Sequence, residues 1–247
     1  MIRRLFLVLI VSLLLAGHSP AEPSAPSKLR VLFIGNSLTY VNDLPAALAS
    51  MASATGRELD HDGVLVGGAS LEKHWAEGKA AAKIQEGKWD YVVLQGHSSE
   101  AIKNREALFR HGHLFDAEIK KAGAKTALYM TWNLENDTKS YPLISGAYTD
   151  LAKELGALLV PAGTAWHMAS ENTATPAPLL YSPDHKHPAP AGTYLAACVF
   201  YRVLFQAPSA GLPAKLEGSK KSPILLSAEE AATLQKIADS VPLEKTQ

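Results

Sequence analysis

Short, wholly apolar runs alternate along this chain with longer stretches of helical period. The segments "LRVLFIG" (29–35) and "DYVVLQG" (90–96) are dense in Val, Ile, Leu and Phe. They lack the polar alternation of a half-wet strand, as expected of strands buried on both faces. "ELDHDGVLVG" (58–67), "KTALYMTW" (125–132) and "ALLVP" (157–161) complete a set of five predicted strands. Helices are predicted over 44–54, with Asn42 or Asp43 as cap and Pro45 in the first turn, and over 71–87, interrupted by Gly78. Three more cover 105–123, closed by Gly123, then 141–156 and 188–205. A last one covers 227–241, where Ser227 and Glu230 have the spacing of a capping box. Strands alternating with helices predict an α/β fold, a five-stranded parallel sheet covered on both faces, with right-handed crossovers.

The N-terminus stands apart from this pattern. Arg3 and Arg4 precede an apolar stretch from Leu5 to Ala16, and Ser19-Pro20-Ala21 fits a small-x-small cleavage site. This predicts a secretory signal peptide over 1–21, a Pro/Ser linker over 22–28 and a single domain over 29–245. An uncleaved anchor is the alternative, but about a dozen apolar residues fall short of the ~20 a spanning helix needs. The expected location is the periplasm or the medium, with no stable membrane span after cleavage. Position 18 is His where a lipoprotein would need Cys.

Composition narrows the classes. Apolar residues make up 47% and charged residues 19%, an ordinary globular mix. Removing 1–21 takes away two arginines and no acids, leaving 22 basic against 24 acidic residues, a formal charge of −2. No basic face is implied, so nucleic acid is not an expected partner. The lone Cys198 cannot form an internal disulfide, and its apolar neighbours predict a core position.

In parallel sheets the working residues gather at the carboxyl ends of the strands. Those ends read Gly35-Asn36-Ser37, Gly67-Gly68-Ala69-Ser70, Gln95-Gly96-His97-Ser98 and Thr131-Trp132-Asn133. Far downstream lies "SPDHKHPAPAG" (182–192). A serine needs a base, and the base needs an orienting partner. Asp184 and His187, three apart on a tight loop, can supply both, with Pro188 biasing His187 away from helical geometry. The amides of Ser37 and Gly68 and the side-chain NH₂ of Gln95 would come from three neighbouring strand ends as oxyanion donors.

With these residues in place the chain resembles the SGNH/GDSL hydrolases, from about Leu29 to Phe205. "IGNSLT" is similar to the block that carries the nucleophile, "VGGASL" to the block with a glycine amide donor, and "PDHKHPAPAGTYLAA" to the last block. The resemblance implies a flavodoxin-like three-layer α/β/α fold, Ser37 as nucleophile, Gly68 as donor, His187 as base and Asp184 as its partner. The third block, "LQGHSSE", departs from the usual Gly-x-Asn-Asp. It is similar to the Gln-Gly-Glu-Ser of sialate O-acetylesterase-like and acetyl-xylan esterase branches. Gln95 then replaces Asn as donor, while Ser98 or Ser99 takes that position in another alignment. The implied activity is hydrolysis of short acyl, above all acetyl, esters on a small molecule or polysaccharide. An O-acyltransferase using the same acyl-serine, or a silent carbohydrate-binding protein, are the alternatives.

Other residues compete for roles. His185 is the rival base, but lies too near Asp184 in sequence. His97, His111, His113 and His185 lack metal-ligand spacing and read as solvated surface groups, so no metal or other cofactor is implied. His97 is a candidate for substrate binding, or a plain turn residue. Trp132 either stacks on a sugar ring or packs; Trp75, Trp89 and Trp166 read as core. Asn36 is expected to brace the turn that carries Ser37.

Overall fold

Along the first apolar run, Val31 and Phe33 enter one hydrophobic cluster while Leu32 and Ile34 enter another on the opposite side. Strand parity thus places two cores on the two faces of one sheet. The computed structural model describes residues 27–172, 177–216 and 223–243. Its five-stranded sheet is built from β1 (Lys28–Gly35), β2 (Glu58–Leu65), β3 (Tyr91–Leu94), β4 (Lys125–Tyr129) and β5 (Leu158–Val160). The order is β2-β1-β3-β4-β5 and every pairing is parallel. This is the flavodoxin-like order, with a topological switch point between β1 and β3, where a crevice opens at the carboxyl ends.

Ten α-helices lie among the described residues: α1 (Ser37–Tyr40), α2 (Leu44–Ala54), α3 (Leu71–Glu77), α4 (Lys79–Gln85), α5 (Glu100–Lys103), α6 (Arg105–Lys121), α7 (Tyr141–Leu155), α8 (Ala162–Glu171), α9 (Pro190–Phe205) and α10 (Ala228–Ser240). Helices α2, α8, α9 and α10 cover one face of the sheet, and α3, α4, α6 and α7 the other. Helix α9 is central to its layer, buried along almost its whole length, with α2, α8 and α10 packed around it. Cys198 is fully buried there, and burial pushes its thiol well above the ordinary range.

Local signals act as expected at most ends. Asp43 caps α2 by accepting from Ala46 N, Gly78 splits 71–87 into two helices at φ +70°, and Ser227 with Glu230 forms the capping box of α10. Three features depart. Strand β4 ends at Tyr129, so Thr131, Trp132 and Asn133 lie in a loop. Helix α8 has no counterpart in the predicted set: its Gly163 passes so close to the loop after β4 that a Cβ would stand 2.1 Å from Thr131 O. A two-residue antiparallel pair, Lys215–Leu216 with Ile224–Leu225, precedes α10. The predicted signal peptide and most of the linker, together with residues 244–245, lie outside the described residues.

Candidate active site

Strand β1 delivers the chain to the switch point, and Asn36 turns it there. The Asn36 side chain is buried and caps α1, accepting from Leu38 N at 3.1 Å. Its Nδ2 donates to Ala69 O (2.9 Å) and Gly96 O (3.3 Å), tying together the segments that follow β1, β2 and β3. Ser37 thus opens α1 from a turn fixed on three sides, its side chain half-buried.

The downstream loop reaches the same place by its own hydrogen bonds. Ser182 N donates to His187 O (2.8 Å) and Ala189 N to Leu180 O (2.8 Å), pinching 180–189 into a narrow bracket. Within it, Asp184 Oδ1 accepts from the amides of His187 (2.9 Å) and Lys186 (3.1 Å), and Oδ2 accepts from His187 Nδ1. The His187 side-chain and backbone hydrogen bonds hold the Asp184 carboxyl well below the usual carboxylate range. With Nδ1–H committed to a carboxylate, Nε2 is the free acceptor. It lies 2.8 Å from Ser37 Oγ. The structure therefore brings Ser37, His187 and Asp184 into one hydrogen-bonded chain across 150 residues of sequence. Such a chain can draw the hydroxyl proton onto the imidazole and stabilise the imidazolium that results.

Neighbours clamp the bracket from outside. Asn42 Nδ2 donates to Pro188 O (2.9 Å) and Thr193 Oγ1 (3.1 Å). Glu135 N donates to His185 O (3.1 Å), and the Glu135 carboxylate holds His185 Nδ1 at 2.5 Å. His185 is thereby turned toward Glu135 rather than toward Ser37. Trp132, offered above as a sugar platform or a packing group, is only 3% exposed and stacks on Trp166 with ring centroids 3.7 Å apart. Its Nε1 donates to Lys186 O at 3.1 Å. It presents no face to a ligand and instead fastens the bracket.

Two backbone donors stand beside the serine. Val66 to Ala69 forms a tight turn, Ala69 N donating to Val66 O, with Gly68 at φ +66° in the position that needs a left-handed residue. Neither Ser37 N–H nor Gly68 N–H has an acceptor among the described residues. Gln95 does not join them. It is fully buried, and its Oε1 accepts from Asn36 N (2.8 Å) and Thr39 Oγ1 (3.0 Å) while Nε2 donates to Gly96 O. Because Asn36 N–H can only donate, the amide orientation is fixed, and its NH₂ faces a carbonyl inside the protein. Gln95 is a brace under the nucleophile turn, not an oxyanion donor. Gly35 leaves room for it, since a Cβ there would sit 2.7 Å from Gln95 Oε1.

His97 lies half-buried just past β3, next to Gly96. Burial lowers its pKa, and the charges of Lys186 and Lys103 add to the effect. His111 is not a solvated group: it is buried on α6, with Nδ1 against Ala107 O at 2.8 Å. Three residues whose part here the sequence reading did not foresee also serve the site, Asn42 having been offered only as a cap for α2. Asn42 holds the bracket, His74 Nε2–H donates to Gly35 O at 2.8 Å, and buried Glu100 accepts from His97 N at 2.8 Å. Each belongs to a helix or linker whose pattern is satisfied without it, so only the three-dimensional contacts reveal it.

No protein-family model matches the sequence, and no curated protein matches it. Solved structures do. A Slackia heliotrinireducens protein described as an SGNH hydrolase is 29% identical, with TM-score 0.58, over 72% of this chain and 99% of its own. The chain belongs to the SGNH/GDSL superfamily. A DUF4886 family protein from Bacteroides uniformis shares the fold at TM-score 0.69 and 20% identity, over 86% of this chain and 93% of its own. An acetyl-xylooligosaccharide esterase from Geobacillus, Axe2, shares it at TM-score 0.60 and 15% identity, over 74% and 96%. In this SGNH chain the turn that carries Ser37 and the Gly68 turn are tied together through Asn36 Nδ2 and Ala69 O, while Gln95 of the third block is turned inward onto Asn36 N and Thr39 Oγ1.

Proposed function

We propose that this SGNH protein is a secreted serine esterase that removes short acyl groups, acetyl foremost, from carbohydrates. The observation that carries the reading is the chain Asp184–His187–Ser37, closed at 2.8 Å beside two backbone amides with no other acceptor among the described residues. His187 takes the Ser37 proton as Oγ attacks the ester carbonyl. The oxyanion forms against Ser37 N–H and Gly68 N–H. His187 then protonates the departing alcohol, an acyl-serine remains, and water activated by the same imidazole releases the acid. Membership of a hydrolase superfamily and fold neighbours that include acetyl xylan esterases support the ester and acetyl reading. The N-terminal pattern of residues 1–21 supports export.

The test is direct. Ser37→Ala should abolish hydrolysis of p-nitrophenyl acetate and labelling by a fluorophosphonate while the unfolding transition is kept. Activity undiminished in that variant would sink the mechanism. Acetate release from a panel of acetylated polysaccharides then assigns the sugar.

A further inference from the structure

The hydrogen bonds around His97 fix its tautomer. Ser99 N–H donates to His97 Nδ1 at 3.3 Å, and the Ser99 hydroxyl lies 3.1 Å from the same nitrogen. A backbone N–H can only donate, so Nδ1 is an acceptor and the ring proton resides on Nε2. Nε2–H makes no hydrogen bond among the described residues, and the ring is half-buried rather than splayed into solvent. Burial, with the charges of Lys186 and Lys103, favours the neutral ring, which keeps this arrangement at physiological pH.

The backbone of His97 is held as firmly as its ring. His97 N donates to Glu100 Oε2 (2.8 Å) and Glu100 N returns a bond to His97 O (2.9 Å). Gly96, next in sequence, accepts from Asn36 and receives the Gln95 amide. It also donates its N–H to Tyr148 OH at 3.3 Å. His97 thus stands just past the end of β3, beside the Gly96 carbonyl that Asn36 holds, with Lys186 of the His187 bracket near enough for its charge to be felt.

We propose that His97 Nε2–H is the third oxyanion donor of this site, with Glu100 as the residue that positions it. The inference rests on the acyl-serine reading above. It follows from the burial of Gln95, which removes the side-chain amide from the site, and from the His97 ring, whose tautomer Ser99 N–H fixes and whose Nε2–H has no acceptor among the described residues. An imidazole N–H in this place holds the oxyanion by a neutral hydrogen bond, and it adds no positive charge beside the imidazolium that forms on His187.

The experiment compares wild type with His97→Phe, which keeps a ring but no donor, and His97→Asn, which restores an N–H. His97→Phe should lower kcat on p-nitrophenyl acetate about 100-fold, the scale of one lost oxyanion donor, with KM within about twofold and the unfolding midpoint kept. His97→Asn should recover at least tenfold of that loss. Inhibition by an alkyl boronic acid, which mimics the tetrahedral state, should weaken in step with kcat. In the wild-type protein labelled with ¹⁵N-histidine, boronate binding should shift the His97 Nε2–H signal, a readout that needs no variant. A kcat for His97→Phe within threefold of wild type, or an unmoved Nε2–H signal, overturns the proposal. Fluorophosphonate labelling of wild-type Ser37 keeps the two readings apart: labelled, active enzyme with indifferent His97 variants sinks this inference alone.

Discussion

Gln95 shows what a single position can and cannot reveal before its neighbours are known. Its place at the end of a strand is legible, and so is its neighbourhood to Ser37. The direction of its amide is not, because that depends on Asn36 N and Thr39 Oγ1, more than 50 residues away. Parity offered one clue. Gln95 shares its strand face with Val93, which packs into the layer under α2 and α9, so its side chain heads inward rather than into the crevice. Ser37, Asp184 and His187 were legible because each sits in a short motif whose chemistry is local. The two assignments for Gln95 predict different variants. Gln95→Leu leaves Asn36 N–H and the Thr39 hydroxyl without their buried acceptor, which costs about 1–3 kcal/mol for each unsatisfied group. Urea unfolding should therefore show a marked loss of stability together with a fall in kcat. A donor reaching out into the crevice would give the fall in kcat alone.

At the scale of elements, periodicity located the strands and most helices, because each buries a recurrent apolar face. Helix α8 escaped, since "AGTAWHMASE" is rich in small residues and its packing depends on close approach rather than on a broad apolar stripe. Close approach also governs α9. Gly192, in its first turn, faces the bracket so tightly that a Cβ would lie 2.3 Å from Leu180 O and 2.5 Å from Trp166 Cζ2. Leu180 O in turn accepts from Ala189 N at the base of the His187 loop. Gly192→Ala should thus push helix and bracket apart. The expected cost is about 1–3 kcal/mol in urea unfolding, with kcat lowered at least tenfold as His187 leaves Ser37. Gly146→Ala in α7, where nothing lies within 4 Å of the added methyl, is the control. It should stabilise the protein by about 0.4–1 kcal/mol and leave kcat unchanged.

The whole molecule is a sheet whose switch point gathers the site while its ends serve different purposes. Strand β1 begins at Lys28, and the Ser37, Gly68, His97 and His187 segments all lie downstream of it. Helix α10 lies at the other end of the chain and touches none of them, yet it closes the layer around α9. It buries Leu234 and Ile237, Gln235 Nε2 donates to Tyr194 OH at 2.6 Å, and Arg202 Nη1 donates to Val241 O at 3.1 Å. Burying a Leu or Ile side chain contributes about 1.5–3 kcal/mol, so two of them, with the polar groups they shelter, weigh heavily against a total stability of about 5–15 kcal/mol. The amphipathic pattern of 227–241 made this helix legible, but its partner could be identified only once α9 was seen to be buried on every side. A chain starting at Ser27 should therefore unfold cooperatively and hydrolyse p-nitrophenyl acetate like the full-length chain. A chain ending before Ala228 should lose both the cooperative transition and the activity, though every group of the proposed mechanism is still present. Circular dichroism melts and activity on the two truncated chains test the expectation of a single domain over 29–245. An active, cooperatively folded chain without α10 would instead place that helix outside the folding unit that holds Ser37 and His187 together.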